Sequence, residues 1–149
     1  MIWFMRRLAA LLGALLSVAQ APWQPSFELV QPELFAAAGG QANAWADADG
    51  DLDYFVAFRG RPNRFYRNDH GSFRAAAAEV GLADNQETRS AAWGDFDADG
   101  DPDLFIGFAD PRIAAKVYRN ENRGTRFVDV AGDIGVTLNG VARPGRVDR

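Results

Sequence analysis

The sequence has no cysteine and only one histidine and one lysine among its 149 residues. A disulfide framework and a thiolate zinc or iron–sulfur site are therefore excluded, and so is a histidine-rich metal site. The 15 arginines are scattered rather than massed, so no nucleic-acid partner is predicted. Hydrophobic residues make up 48% and aromatic residues 12% of the chain, which is enough for a packed core in one domain or part of one.

The first 21 residues are predicted to be a secretory signal peptide. Arg6 and Arg7 precede the apolar run of residues 8–19, and Ala19-Gln20-Ala21 is a small-x-small cleavage site. The apolar run is about a dozen residues, shorter than the roughly 20 that a spanning helix needs, so an uncleaved membrane anchor is the weaker alternative. We therefore expect a secreted, periplasmic or cell-surface protein with no membrane span after cleavage.

The acidic residues are concentrated, because nine of the 20 lie in two short clusters. In residues 95–103 an aspartate stands at every second position, with Gly100 among them and the apolar run 104–108 directly after. Such closely spaced carboxylates repel one another unless a cation lies among them, and aspartate clusters suit a hard divalent ion. Gly100 takes the positive φ that a tight turn needs. The stretch predicts a calcium loop leading into a β-strand, with a solvated acidic turn as the alternative.

An EF-hand does not fit this loop. Its chelating glutamate would stand at position twelve, where the sequence has Ile106, and it requires a helix on each side.

The same pattern occurs twice. A second acidic loop around Gly50 precedes another apolar strand, and equivalent residues of the two copies are 50 to 54 positions apart. Short strands between turn residues at this period indicate propeller blades rather than a helical solenoid, although residues 75–80 fit either one helical turn or a tight loop. The matching pairs are Asp53 and Asp103, Tyr66 and Tyr118, Phe73 and Phe127, and Gly81 and Gly135.

The repeats divide the chain. Residues 1–21 are the signal peptide, 22–44 an N-terminal flank, 45–92 the first repeat, 93–141 the second, and 142–149 a C-terminal tail. In the flank, Phe27, Leu29 and Val30 are candidate strand residues, and residues 27–34 are interpreted as the tail strand of a preceding blade.

Residues 93–107, with Tyr118-Arg119-Asn120 and the strand 127–130 downstream, resemble the FG-GAP or VCBS repeat. That repeat builds the β-propeller of integrin α subunits and of many secreted bacterial proteins, including those with an ASPIC/UnbV domain. The resemblance covers residues 27–141. It implies an all-β fold of β-propeller-type blades of antiparallel strands, here an incomplete propeller of about two repeats.

The resemblance also implies Ca²⁺ as the cofactor of the second loop. By analogy with the family, Asp95, Asp97, Asp99 and Asp103 bind calcium through their side chains, and Asp101 through its backbone carbonyl.

The first loop departs from the family pattern in one of two ways. If Gly50 is matched to Gly100, the aspartates take positions three, five, seven and nine, and Trp45 stands where the first ligand should be. If Trp45 is matched to Trp93 instead, the first aspartate becomes the first ligand and the loop is two residues shorter. Both alignments lack one side-chain ligand, which predicts weaker calcium binding. The candidate ligands of the first loop are Asp47, Asp49, Asp51 and Asp53.

The remaining candidates favour structure over catalysis. Trp45 and Trp93 hold equivalent places and are predicted to pack within blades rather than to form a ligand platform. His70 lies in a turn by composition and has no predicted partner, and Ser72 and Ser90 lack the context of a hydrolase nucleophile. Paired carboxylates can support glycosidase chemistry, but the close pairs here belong to the metal loops. The protein is therefore predicted not to be an enzyme. Phe55, Phe58, Phe105 and Phe108 are predicted to be buried strand residues.

The predicted function is a secreted calcium-binding repeat module for recognition or scaffolding, with an unknown protein or carbohydrate ligand. The alternative is a non-catalytic fragment of a larger secreted enzyme such as a polysaccharide lyase or hydrolase. A closed propeller needs at least about four blades, and two blades leave strand edges exposed. We expect a truncated piece of a longer gene first; self-association or further blades that close a ring, or a small calcium-stapled sheet, are the other two readings.

Overall fold

The computed structural model describes residues 24–136. The chain divides into two compact units, Met1–Val30 and Gln31–Arg149. The predicted signal peptide and C-terminal tail lie outside the described residues. The strands are β1 Gly40–Asp47, β2 Leu52–Phe58, β3 Arg64–Asp69, β4 Ser72–Ala75, β5 Thr88–Gly94, β6 Asp103–Phe108, β7 Lys116–Glu121 and β8 Arg126–Asp129, and the helices are α1 Pro32–Phe35 and α2 Ala77–Val80.

The strands form two four-stranded antiparallel sheets, each with its strands in chain order. The first sheet is β1 to β4 and the second is β5 to β8. The predicted all-β class and the two blade-like repeats are therefore confirmed. The helical-turn alternative at residues 75–80 is also confirmed, because α2 lies there.

The N-terminal flank differs from the prediction. Residues 24–29 form neither helix nor strand, so the strand predicted at Phe27, Leu29 and Val30 is wrong. Residues 32–35 form helix α1 instead, and a proline fixes φ in its first turn. Strand β1 begins at Gly40, so the last five residues of the predicted flank belong to the first sheet.

Each sheet has a front face, which carries its tryptophan, and a back face. Residues paired across neighbouring strands share a face, so the strand register assigns the side chains. The front faces carry Trp45, Tyr54, Tyr66 and Phe73 in the first sheet and Trp93, Leu104, Tyr118 and Phe127 in the second, and the back faces carry Phe55 and Phe65 in the first and Phe105 and Val117 in the second.

The main hydrophobic core lies between the back face of the first sheet and the front face of the second. Phe65 lies at its centre, with its ring centroid 6.0 Å from that of Trp93 and 5.9 Å from that of Phe127. Helix α2 adds Ala77 and Val80 to the same cluster. The two repeats thus fold against each other around a shared core.

A polar contact beside this core also joins the repeats. The Asp84 carboxylate lies 2.6 Å from Nζ of Lys116 and accepts a hydrogen bond from the Tyr118 hydroxyl at 3.3 Å. Burial alone raises the pKa of Asp84, but its hydrogen bonds, led by that from Lys116, hold it below its ordinary value. Asn63 also donates its side-chain amide to Thr88 Oγ1 at 2.9 Å. The two repeats are therefore held together by an ion pair and hydrogen bonds as well as by packing.

Gly81, directly after α2, provides a test of this packing. Its φ is +91°, and a Cβ there would lie 2.8 Å from the backbone carbonyl oxygen of Phe127. We expect Gly81→Ala to lower the free energy of unfolding by about 2–4 kcal/mol, since strain in φ and a backbone clash add together. Urea unfolding measures the loss.

Gly71→Ala is the matched control for this substitution. Gly71 has φ +93° but no atom within 4 Å of the added Cβ, so only the strain in φ should remain, about 1–2 kcal/mol. Equal losses in the two variants would contradict the close approach of α2 to β8.

Candidate functional site

The second acidic loop, residues 95–102, brings three predicted ligands together. Carboxylate oxygens of Asp95, Asp97 and Asp99 lie within 4.8 Å of one another, and the three residues are exposed. The Asp95 carboxylate accepts the backbone N–H groups of Asp99 at 3.2 Å and Gly100 at 3.0 Å. The chain therefore folds back over the first aspartate, which is why alternate side chains converge here.

Asp103 closes the loop from inside the protein. It is 2% exposed, and its carboxylate accepts the backbone N–H groups of Phe96 at 3.0 Å and Asn120 at 2.7 Å. Burial raises the pKa of Asp103, although these two hydrogen bonds act in the opposite direction. Asp103 and Asp101 lie outside the group of three converging carboxylates. Asp103 thus has a clear structural contact, which ties the loop to β7.

Asp53 makes the same contacts in the first repeat. Its buried carboxylate accepts the backbone N–H groups of Ala48 at 3.3 Å and Asn68 at 2.8 Å. Burial raises the pKa of Asp53 to about 6, and the nearby charge of Asp49 adds to the effect. An uncompensated charge is therefore costly at the base of this loop.

The hydrogen bonds support one of the two alignments of the loops. Asp47 accepts the Gly50 N–H as Asp95 accepts the Gly100 N–H. Ala48 donates to the last aspartate of its loop as Phe96 does in the second repeat. The match of Trp45 to Trp93 is therefore the structural one. Asp49 accepts the Asp51 N–H as Asp99 accepts the Asp101 N–H, so the two residues missing from the first loop correspond to Asp97 and Ala98.

The two loops also differ in how their charge is balanced. In the first loop Arg67 forms an ion pair with Asp49, and both side chains are mostly buried. Arg119, the equivalent of Arg67, pairs instead with Glu121 at 2.8 Å. Within residues 24–136, the aspartates at 95, 97, 99 and 101 form no ion pair. The Arg67 guanidinium thus neutralises part of the charge of the first loop, whereas the aspartates of the second loop have no such partner among the described residues.

His70 has partners that the sequence reading missed. It lies in the turn after β3 with φ +51°, and its Nδ1 lies 2.8 Å from Asp69 and 3.5 Å from Asp51. The hydrogen bond with Asp69, followed by the charges of both carboxylates, raises the pKa of His70. These three residues form a second group with metal-ligand spacing, at the surface. Asp51 lies 19 residues from His70, so only the hairpin brings them together.

Two asparagines at the ends of β3 and β7 are structural residues that the prediction missed. Asn68 donates its amide to the Leu52 carbonyl at 3.1 Å and accepts the Gly71 N–H at 2.8 Å. Asn120 makes the equivalent bonds to the residues before Asp103 and in the β7–β8 turn. Their recurrence in the Tyr-Arg-Asn sequence of both repeats was the available signal. They join each acidic loop to the following hairpin.

The tryptophans and phenylalanines bear out the packing prediction only in part. Trp93 packs against the core, whereas Trp45 stacks on Tyr54 at 4.2 Å and remains 49% exposed. Phe55, Phe58 and Phe108 are buried, but Phe105 is 36% exposed. The exceptions lie on the two faces of the sheets that point away from the shared core.

Residues 24–136 include no helix that is both long and apolar enough to cross a membrane.

A comparison with curated proteins gives no match. A family model described as an FG-GAP-like repeat matches residues 46–106. The matched stretch begins in β1, contains both acidic loops and ends in β6. Residues 46–106 are thus similar to an FG-GAP-like repeat, the kind of sequence that forms β-propeller-type blades in recognition and scaffold modules.

Proposed function

We propose that this protein is a secreted, calcium-binding β-propeller-type repeat module for recognition or scaffolding. The observation that carries the proposal is the convergence of Asp95, Asp97 and Asp99 within 4.8 Å. Three carboxylates at this spacing repel one another, and a hard cation with oxygen ligands relieves the repulsion. The likeness to an FG-GAP-like repeat supports the same reading.

The second loop supplies a set of ligands that suits calcium. Asp95, Asp97 and Asp99 offer side-chain oxygens, Asp101 its carbonyl, and Asp103 an oxygen with a lone pair beyond those used by backbone N–H groups. Calcium takes six to eight oxygen ligands in flexible geometry, so an exposed loop can adjust to it. The bound ion would fix the turn between β5 and β6.

The first loop is the weaker site. It lacks a counterpart of Asp97, and Arg67 already balances the charge of Asp49. An ion that binds the first loop therefore relieves less repulsion between carboxylates than one that binds the second. The carboxylates of the first loop belong to Asp47, Asp49, Asp51 and Asp53. We expect this loop to be held mainly by its own ion pair and by the buried Asp53.

This role for calcium is structural rather than catalytic. Neutralised loops hold the strand ends in place, and the loops around them are free to contact a protein or carbohydrate ligand. We also propose that the repeats are of the VCBS type, as in ASPIC/UnbV proteins, and that the signal peptide predicted at residues 1–21 exports the chain.

Calorimetric titration of the purified full chain with calcium tests the proposal. We expect one site, with a dissociation constant in the range of about 10⁻⁴ to 10⁻³ M that is typical of extracellular modules. Magnesium is the control ion and should bind more weakly, since it demands octahedral geometry and sheds water reluctantly. Absence of binding at millimolar calcium would refute the proposal, and two equal sites would refute the difference between the loops.

A further inference from the structure

The back face of the second sheet forms an open apolar groove of about 350 Å³. Its apolar lining includes Phe105, Val117, Ile134 and Val136, of which Val117 is already buried in a small cluster with Val130 and Ala131. Ile134 is 45% exposed, and Phe96 at the rim is exposed as well. Exposed aliphatic and aromatic side chains that share one groove are typical of an interaction surface.

The first repeat shows what such a face packs against. Residues 131–136 repeat the local hydrogen bonds of α2, since Ile134 N–H donates to the Val130 carbonyl as Val80 N–H donates to the Ala76 carbonyl, both at 3.1 Å. The four apolar groove residues named above therefore have equivalents in the first repeat, and each equivalent is buried in the core under the front face of the second sheet. These buried equivalents are Phe55 for Phe105, Phe65 for Val117, Val80 for Ile134 and Leu82 for Val136.

The complementary surface is present on the same chain. The front face of the first sheet presents Trp45, the equivalent of Trp93, in a half-exposed position. Trp93 packs on Phe65, so in a repeat of the same arrangement Trp45 would pack on Val117, the equivalent of Phe65. The two open faces thus match each other in the way that the two joined faces already do.

Helix α1 holds part of the front face of the first sheet. The Gln31 side chain bonds the backbone N–H and carbonyl of Phe73 at 2.6 and 2.9 Å, and Phe35 packs on Tyr66 with centroids 4.8 Å apart. The Leu34 carbonyl accepts the Tyr66 hydroxyl at 3.1 Å, the role that Asp84 plays for Tyr118. On the second sheet, the equivalent place is taken by α2 and the segment that follows it, residues 81–87. Helix α1 therefore acts as a cap on the front face of the first sheet.

We propose that the groove on the second sheet binds the front face of the first sheet of a second copy of this chain, with α1 displaced. The contact is head to tail, so it joins different faces of the two copies and continues into a ring or a filament. The cap lowers the apparent affinity, because only the fraction of chains with α1 released is competent to bind.

Sedimentation velocity of the full chain over a range of concentrations tests this. The wild-type protein should associate as its concentration rises. Trp45→Glu and Phe105→Glu should each weaken association by about tenfold or more, since a buried aromatic anchor dominates such interfaces. Phe35→Ala should strengthen association, because it loosens the cap.

Mixing the two glutamate variants gives the decisive measurement. Each variant keeps one intact face, so at a concentration at which each variant alone is monomeric, an equimolar mixture should form dimers that do not grow further. Ile134→Glu is a second groove variant for use if Phe105→Glu does not fold. Association of Trp45→Glu that equals wild type would show a symmetric contact between grooves and overturn the head-to-tail proposal.

Two other results would also overturn it. A wild-type chain that is monomeric at every concentration would overturn the proposal, and destabilisation of that monomer by Phe105→Glu would show that the groove is covered within the same chain. Unchanged or weaker association of Phe35→Ala would show that α1 does not limit association. The runs are made in calcium and in EDTA, so that a failure of the calcium site is read separately from a failure of assembly.

Discussion

Phe65→Ala is expected to lower the free energy of unfolding by about 3–5 kcal/mol, a large fraction of the roughly 5–15 kcal/mol that stabilises a native domain. Phe65 is 0% exposed and is the residue of the first sheet that meets both Trp93 and Phe127 of the second. Its loss leaves a cavity between two sheets whose backbones are fixed by their own hydrogen bonds, so the site cannot collapse fully. Equilibrium unfolding in urea, followed by tryptophan fluorescence and by circular dichroism, measures the effect.

Phe105→Ala is the matched control, since Phe105 is also a strand phenylalanine but lies on the open back face of the second sheet. We expect it to cost about 1–2 kcal/mol in the monomer, because a ring that is already partly in water gives up less transfer free energy and leaves no closed cavity. Similar losses at the two positions would mean that the sheets do not share the core described here.

Asp97→Ala is expected to abolish calcium binding at the second loop. Asp97 is one of the three converging carboxylates and has no counterpart in the first loop, so its removal makes the second loop resemble the weaker one. Calcium at 100 times its dissociation constant should stabilise the wild-type protein by about 2.7 kcal/mol, and this increment should vanish in the variant. Thermal unfolding with and without calcium measures it.

Two other aspartate substitutions, one in each loop, serve as controls for Asp97→Ala. Asp101→Ala stays within the same loop and keeps the backbone carbonyl that is expected to bind, and Asp51→Ala changes the equivalent position of the first loop. Both should keep most of the calcium increment. Equal losses in all three variants would show that the ligand positions are assigned wrongly.

The acidic loops show how far sequence reading reaches and where it stops. Alternating aspartates with one glycine predict a loop in which side chains converge, and Asp95, Asp97 and Asp99 do so. The sequence did not decide how the residues of the first loop correspond to those of the second, because both alignments match the same number of residue types. Hydrogen bonds to Asp47 and Asp53 support one of them, since a backbone N–H can satisfy only the carboxylate that lies in front of it.

The ion pair of Arg67 with Asp49 could not be predicted. Arg67 and Arg119 occupy identical places in the Tyr-Arg-Asn sequence, yet one reaches the acidic loop and the other pairs with Glu121. The choice depends on which carboxylates are in reach in three dimensions. It changes the expected chemistry of the first loop from a metal site towards an internal salt bridge.

The sequence by itself determined the class of the fold, the two repeats and the acidic loops. These features depend on local order: alternating apolar residues make strands, and glycine and aspartate make the turns between them. Only the tertiary structure decided which of the equivalent aromatic residues are buried. Trp45 and Trp93, or Phe55 and Phe105, have the same local sequence setting, and they differ because burial requires a neighbouring sheet on that face. Local pattern specifies which way a side chain points, whereas packing specifies what it meets.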